Sequence, residues 1–293
     1  MYDIIGTIVF FYLGGNMRAD GKRVKNADPE SIISAHIMSR RTDAMNMITV
    51  DIPIEPIKEY IAAKREYKIT HLALIISAYL RTVEEFPYLN RFVVNKKLYD
   101  RNEFCVGMVV LKSGDTSNGT MSKMYFDYED TIFDVQRKID DFIEENRKEG
   151  NTNTTDEFAS KLVKIPGLCL VGVKLFKFLD RYGMLPKKII DISPFHMSLG
   201  ITNLASIRTN HIHHHTYEFG TTSVFMSLGN MRYIPKMSDG KMIFERCIPL
   251  GVVMDERICT GSYYAMAFRR ISEYLKKPEL LELPSSKTPK KDT

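Results

Sequence analysis

The chain has 293 residues, enough to bury one large core, and its 44% hydrophobic and 26% charged residues exclude a disordered or fibrous protein. A net charge of +5, spread without a basic stripe and partly carried by the tail "SSKTPKKDT", gives no footprint for nucleic acid and suits at most a small anionic ligand. Cys105, Cys169, Cys247 and Cys259 form no C-x-x-C pair, which argues against a disulfide framework or zinc knuckle and for a reducing cytoplasm.

At the N-terminus, "IIGTIVFFYLGG" is apolar but too short to span a bilayer, and no basic residue or small-residue cleavage site marks it as a signal peptide. Met17 is an alternative start, so residues 1–16 read as an extension or a mis-assigned leader. One domain is expected over 17–283, followed by a disordered tail over 284–293.

"MNMITVDIPI" (45–54) alternates Ile48, Val50 and Ile52 with Met47, Thr49 and Asp51, the period of a half-buried strand. "EPIKEYIAAKRE" follows as a short helix with Pro56 in its first turn. "THLALIISAYLRTVEEFP" (70–87) predicts a helix with Thr70 as its cap and Pro87 as its stop. "FCVGMVVLKSGD" (104–115) reads as a buried strand. "TIFDVQRKIDDFIEENRKEG" (131–150) is an amphipathic helix turning Ile132, Val135, Ile139, Phe142 and Ile143 inward, with Gly150 beyond its end. "GNTNTTDE" is a polar connector.

Residues 167–179, "GLCLVGVKLFKFL", are apolar almost all round, and a covering helix against a loop or subunit is preferred over one lying on a membrane. "HMSLGITNLAS", "TSVFMSLGNM" and "CIPLGVVMDE" read as strands. "SYYAMAFRRISEYLKKPELL" closes the chain as a helix with Tyr264, Ala267, Phe268, Ile271 and Leu275 inward. Strands and helices intersperse, so the class is α/β or α+β.

Four stretches in order carry a resemblance. They are "LALIISAYLRTVEEFPYLNRFV", "RNEFCVGMVVLKSGD", "GITNLAS" and "DERICTG" with its helix ending "LKKPELL". From about Ser39 to Leu281 the chain resembles the catalytic domain of dihydrolipoyl acyltransferases and the related chloramphenicol acetyltransferases. The resemblance implies a two-layer α/β sandwich of the CoA-dependent acyltransferase, chloramphenicol acetyltransferase-like type. It also implies a homotrimer or a higher assembly of trimers, active sites between subunits, and CoA or acyl-CoA as substrate with no covalently bound cofactor. The lipoyl-lysine and subunit-binding domains of ordinary complex components have no counterpart before the core, and segment 164–195 is longer than the family pattern needs.

Acyl transfer from a thioester needs a base for the acceptor's proton and a donor for the tetrahedral oxyanion. In the family those are the His of an Asp-His-Arg-x-x-Asp-Gly loop and a hydroxyl on a Ser-Asn-Leu strand. Thr202 matches the hydroxyl position, with Asn203 after it. In the loop Asp255, Arg257 and Gly261 match, but Glu256 stands at the His position and Thr260 at the second Asp. A free carboxylate titrates at about 4.3 against about 8.5 for a thiol, so Glu256 works as a base only if the site is dry; otherwise it is a solvated loop residue or an ion-pair partner.

The lost Asp at position 260 would have paired with Arg40 or Arg41. "NHIHHHTYEFG" (210–220) offers other imidazoles, His211, His213, His214 and His215, with His214 the alternative base. No carboxylate or thiol accompanies them at ligand spacing, so no metal is assigned. His196 reads as a hydrogen-bonded residue at a strand entrance and Cys259 as packing; Ser206 and Ser227 sit in no nucleophile elbow. The expected function is movement of an acyl group between CoA and a thiol, hydroxyl or amine. The alternative is an inactive family member serving as a binding or assembly module.

Overall fold

In the computed structural model residues 17–111, 119–147, 164 and 167–287 are described. The first of these form β1 (Met17–Arg18), β2 (Gly21–Arg23) and α1 (Pro29–Ile37), whose first turn is capped by Asp28 accepting from Ser31 N. Then come β3 (Met45–Pro53), α2 (Ile54–Ala63) and α3 (His71–Glu85). Thr70 caps α3 as expected, its hydroxyl accepting from Ala73 N at 3.2 Å.

A hairpin of β4 (Arg91–Val94) and β5 (Lys97–Arg101) turns at Asn95 and Lys96. Both have φ above zero, at 50° and 60°, the geometry that matches a two-residue turn to strand twist. β6 (Phe104–Leu111), β7 (Gly119–Phe126) and α4 (Ile132–Arg147) follow. After them lie α5 (Leu168–Arg181), α6 (Lys187–Ile192), β8 (Leu199–Asn203), β9 (Val224–Leu228), β10 (Arg232–Ser238), β11 (Lys241–Asp255) and α7 (Gly261–Lys276).

β1, β2, β5 and β4 make a small antiparallel sheet. The main sheet runs β10-β11-β9-β8-β6-β7, with β3 also paired to β11. β8 lies parallel to both β6 and β9; the other pairings are antiparallel. Side chains alternate across this sheet. Val106, Leu199, Ile201, Val224, Met226, Leu250 and Val252 join the inward faces of α2, α3, α4 and α7 in one core. α3 is buried from Leu72 to Val83, which explains why its sequence is apolar nearly all round. The fold is therefore the mixed α/β arrangement expected, with helices on one face of the main sheet.

The predicted helix at 167–179 forms as α5, yet Leu170, Val171, Leu175 and Phe178 are exposed among the described residues. No helix of the described residues is long and apolar enough to cross a membrane. The strand expected from "HMSLGITNLAS" is confined to β8, because Leu204–Ile207 turn into a 3-10 helix. Ser285–Lys287, placed in the tail, form a short 3-10 turn with Ser285 buried. Segments 1–16, 148–163 and 288–293, and with them the N-terminal extension, the connector and the end of the tail, lie outside the described residues.

Candidate active site

β11 ends at Asp255, and the loop that follows is fixed by that carboxylate rather than by position 260. Asp255 is completely buried and takes a fork from Arg257, Nε to Oδ1 at 2.8 Å and Nη2 to Oδ2 at 2.7 Å. Arg41 Nε lies 3.6 Å from Oδ2, beyond hydrogen-bond reach. The Arg41 guanidinium instead donates to the carbonyls of Tyr217, Thr222, Val93 and Gly220. Burial pulls Arg41 below the ordinary guanidinium value, with Asp255 opposing. For Arg257 burial acts the same way, but the Asp255 fork overrides it and carries the group upward.

Of Arg40 and Arg41, the two arginines expected to serve position 260, Arg41 lies beside this loop, and the carboxylate it faces is Asp255. Thr260 has a different task, capping α7 through Tyr263 N at 3.4 Å and meeting Ser262 Oγ at 2.9 Å. Gly261 is the first residue of that helix. Cys259 is buried, and burial pushes its thiol up to about 12, so it packs and does not attack.

Glu256 is held by its backbone, its N–H donating to Ala44 O at 2.8 Å. Its side chain is exposed and has no hydrogen-bond or ion-pair partner among the described residues. Arg257, its neighbour in sequence, is turned away onto Asp255.

Thr202 lies on the sheet face opposite the helices. Pairing places Thr202 beside Ser227, Ser227 beside Gly251, and Gly251 beside Thr49, a row of small residues across β8, β9, β11 and β3. The next row on the same face is Gly200, Phe225, Val253 and Met47. Asn203 alternates to the helix side, where its Oδ1 is buried without a partner.

The histidine segment crosses these rows. Ser227 Oγ accepts from Ile212 N at 3.0 Å and donates to Ile212 O. A Cβ on Gly251 would meet Ile212 O at 2.2 Å and His211 Cδ2 at 3.0 Å, so this position requires glycine. His211 Nε2 meets Thr49 Oγ1 at 3.0 Å, and its Nδ1 is buried without a partner. Burial, helped by Arg232, lowers its pKa. His213 Nε2 meets Ile48 O at 2.9 Å. His214 stacks on Phe225, centroids 4.2 Å apart, in the second row and not in that of Thr202. His211 and His213 both reach Thr49 and so share the Thr202 row, with His211, over Gly251, still two strands and about 10 Å away.

Glu256 is farther. It leaves β11 five residues beyond Gly251, so within one chain it stands about 16 Å along the strands and about 10 Å across them from Thr202. One copy of the chain does not bring the hydroxyl to Glu256, and it sets His214 over Phe225, one strand and one row from Thr202.

A second buried network surrounds His196, which is hydrogen-bonded at the entrance to β8 as expected, though its partners were not foreseen. Arg18 Nε donates to Asp20 Oδ1 at 2.9 Å, and Arg18 also pairs with Asp180. His196 Nε2 lies 3.2 Å from Asp180 Oδ1, and its Nδ1 is 2.7 Å from Ser193 Oγ. Burial alone would raise Asp180, but the hydrogen bond from His196 and the charge of Arg18 hold it at about 2. Ser193 is buried, so this chain of polar groups ties α5 and the β8 entrance to the N-terminal strands. Among the described residues no three His, Cys, Asp or Glu side chains converge to hold a metal ion.

No protein-family model matches the chain, and no curated protein matches it by sequence. Solved structures do. The cubic core of a pyruvate dehydrogenase multienzyme complex superposes with a TM-score of 0.57 at 14% identity, covering 86% of this chain and 90% of that one. A dihydrolipoamide acetyltransferase of Azotobacter vinelandii, studied for the catalytic roles of a serine, a histidine and an asparagine, gives 0.55 at 12%, covering 89% and 95%. A chloramphenicol acetyltransferase gives 0.53 at 8%, covering 87% and 99%. At such identities the likeness shows the fold: this chain has the CoA-dependent acyltransferase-like architecture.

Proposed function

We propose that the chain transfers an acyl group from a CoA thioester to a thiol, hydroxyl or amine in a site shared by two copies. Thr202 of one copy stabilises the oxyanion, and Glu256 of the next takes the acceptor's proton. The acceptor attacks the thioester carbonyl, its proton passes to the carboxylate, and the C–S bond breaks as the CoA sulfur leaves and is protonated. The observation that supports this is the Glu256 carboxylate, which projects unpaired from a loop clamped by Asp255, Arg257 and Arg41. A rigid loop presenting an exposed acid is of no use to Thr202 in its own chain, at about 16 Å along the strands.

A second copy also supplies what the chemistry demands. A carboxylate in water is a feeble base, and burial against protein, which disfavours the charged form, makes a carboxylate a better one. The likeness to the cubic core of a pyruvate dehydrogenase complex supports a reading in which copies of the chain associate. Free cysteines scattered through the chain fit a reducing cytoplasm.

The test is CoA thiol release from acetyl-CoA and longer acyl-CoA with a panel of acceptors. Thr202→Ala is expected to lower kcat by about 10²–10³-fold, and Glu256→Gln to abolish turnover. Co-expressing the two variants should restore activity, because some interfaces then combine an intact hydroxyl with an intact carboxylate. Failure to complement removes the shared site, and loss of activity in His211→Gln alone moves the base to that imidazole. A second reading, a non-catalytic binding or assembly module, is favoured by the 209–217 segment lying over Ser227 and Gly251. Absence of both CoA binding and thiol release would establish it.

A further inference from the structure

A cleft opens between α5, the β4–β5 turn and residues 217–220, away from Thr202. It has two compartments of about 370 and about 360 Å³, and Lys177, Glu218 and Phe219 line both. Their joint size lies within the usual range for a small-molecule site, about 300–1,000 Å³.

The first compartment is cationic. Lys96, Lys177 and Arg181 line it, with Arg41 and Arg257. The carboxylates at hand are committed elsewhere: Asp180 to Arg18 and His196, Asp255 to Arg257 and Arg41. Glu218 Oε1 accepts the backbone amides of Arg41 and Thr42. Among the described residues Lys96 and Lys177 have no carboxylate partner, and Arg181 meets only Asn95 Oδ1, at 3.2 Å. Lys96, Lys177 and Arg181, opposed there by Glu218 while Asp180 is held by Arg18 and His196, outnumber the negative charge, so they repel one another and focus a positive field into the cleft. An anion relieves both.

The second compartment is apolar. Val173, Phe176, Phe195, Tyr217 and Phe219 line it. Phe195 is fixed edge-on to Tyr217, centroids 4.9 Å apart, and lies 5.5 Å from Phe219. The walls are thus set before any ligand arrives. Lys177 stands where the compartments meet, able to lay its stem on the rings and keep its ammonium on the charged side.

We propose that this cleft binds a small amphipathic carboxylate, its head between Lys177, Arg181 and Lys96 and its acyl or aryl tail between Phe195, Tyr217 and Phe219. The guanidinium of Arg181 offers the planar fork that a carboxylate accepts. The site is independent of the acyl-transfer reading, since it uses neither Thr202 nor Glu256.

Calorimetric titration of the full chain with octanoate tests it. Saturable binding at millimolar concentration or tighter is expected, at least about tenfold stronger than that of octanol, which lacks the charge, or of acetate, which lacks the tail. Lys177→Met with Arg181→Met should weaken octanoate by about tenfold or more. Both positions are exposed, so the thermal midpoint should not change. Acetyl-CoA binding, measured on the same samples, should be untouched by the double variant, which separates this site from the proposed acyltransferase. Lack of saturable octanoate binding, octanol binding as well as octanoate, or unchanged octanoate affinity in the double variant overturns the proposal.

Discussion

Asp255 and Asp180 show how single buried carboxylates organise this protein. Each is paired with guanidinium groups, and each would cost several kcal/mol to bury alone. Asp180 gives the clearest consequence for pH. Its folded pKa of about 2 lies below the ordinary 3.8, so its contribution is complete above 3.8 and is lost as pH falls toward 2. That contribution is about 2 kcal/mol. His196 acts higher on the scale: burial pulls its pKa below 6.5 against the opposing pull of Asp180, so the fold prefers the neutral ring. Its contribution is present above 6.5 and fades as pH drops below that value. Urea midpoints should therefore be flat above about pH 7, decline from about pH 6, and fall steeply below about pH 4. Asp180→Asn should flatten the steepest limb; a midpoint independent of pH down to about 5 would contradict the assignment of a neutral His196. His196 was legible as a hydrogen-bonded residue, but its ionic partners were not, because Arg18 and Asp180 lie 162 positions apart.

Among elements, those written in a local period were the readable ones. α3 and α7 follow from the recurrence of Leu72, Ile75, Ile76, Tyr79 and of Tyr264, Ala267, Phe268, Ile271, all of them buried. β1, β2 and α1 passed unnoticed, since their short runs carry no strong alternation, and β10 is exposed on most of its length. Thr260 shows the limit of a motif read by position. At the place of an anchoring Asp it read as a lost ion-pair partner, whereas the structure uses its hydroxyl to satisfy an orphan amide of α7. Thr260→Ala should lower unfolding free energy by about 1 kcal/mol, and Thr260→Asp should leave it nearly unchanged because Asp caps equally well. Equal losses in both variants, measured by chemical denaturation, would assign the threonine another task.

For the molecule as a whole, the separation of Thr202 from Glu256 and the apolar surface of one chain point the same way. Tyr233, Met237, Met242 and Phe244 are each at least 65% exposed on the arm formed by β10 and the start of β11. Patches of this kind mark surfaces that something covers. If copies of the chain cover them, dilution must destabilise the fold by mass action. Thermal midpoints should rise with protein concentration, and sedimentation should show an assembly that dissociates on dilution. A concentration-independent midpoint with a monomeric sedimentation coefficient would leave Glu256 without its partner.

By itself the sequence determined the class of fold and the helices whose faces are written in a 3.6-residue period; Thr202 and the 254–261 loop were singled out by short motifs whose role in acyl transfer is the proposal tested above. Those are local properties, carried by neighbours along the chain. Only the tertiary structure decided that Arg41 faces Asp255, that His211 and His213 and not His214 share the Thr202 row, and that Thr202 and Glu256 occupy distant ends of one sheet. Strand order and register set those distances, and both arise from pairing between segments that no local pattern links.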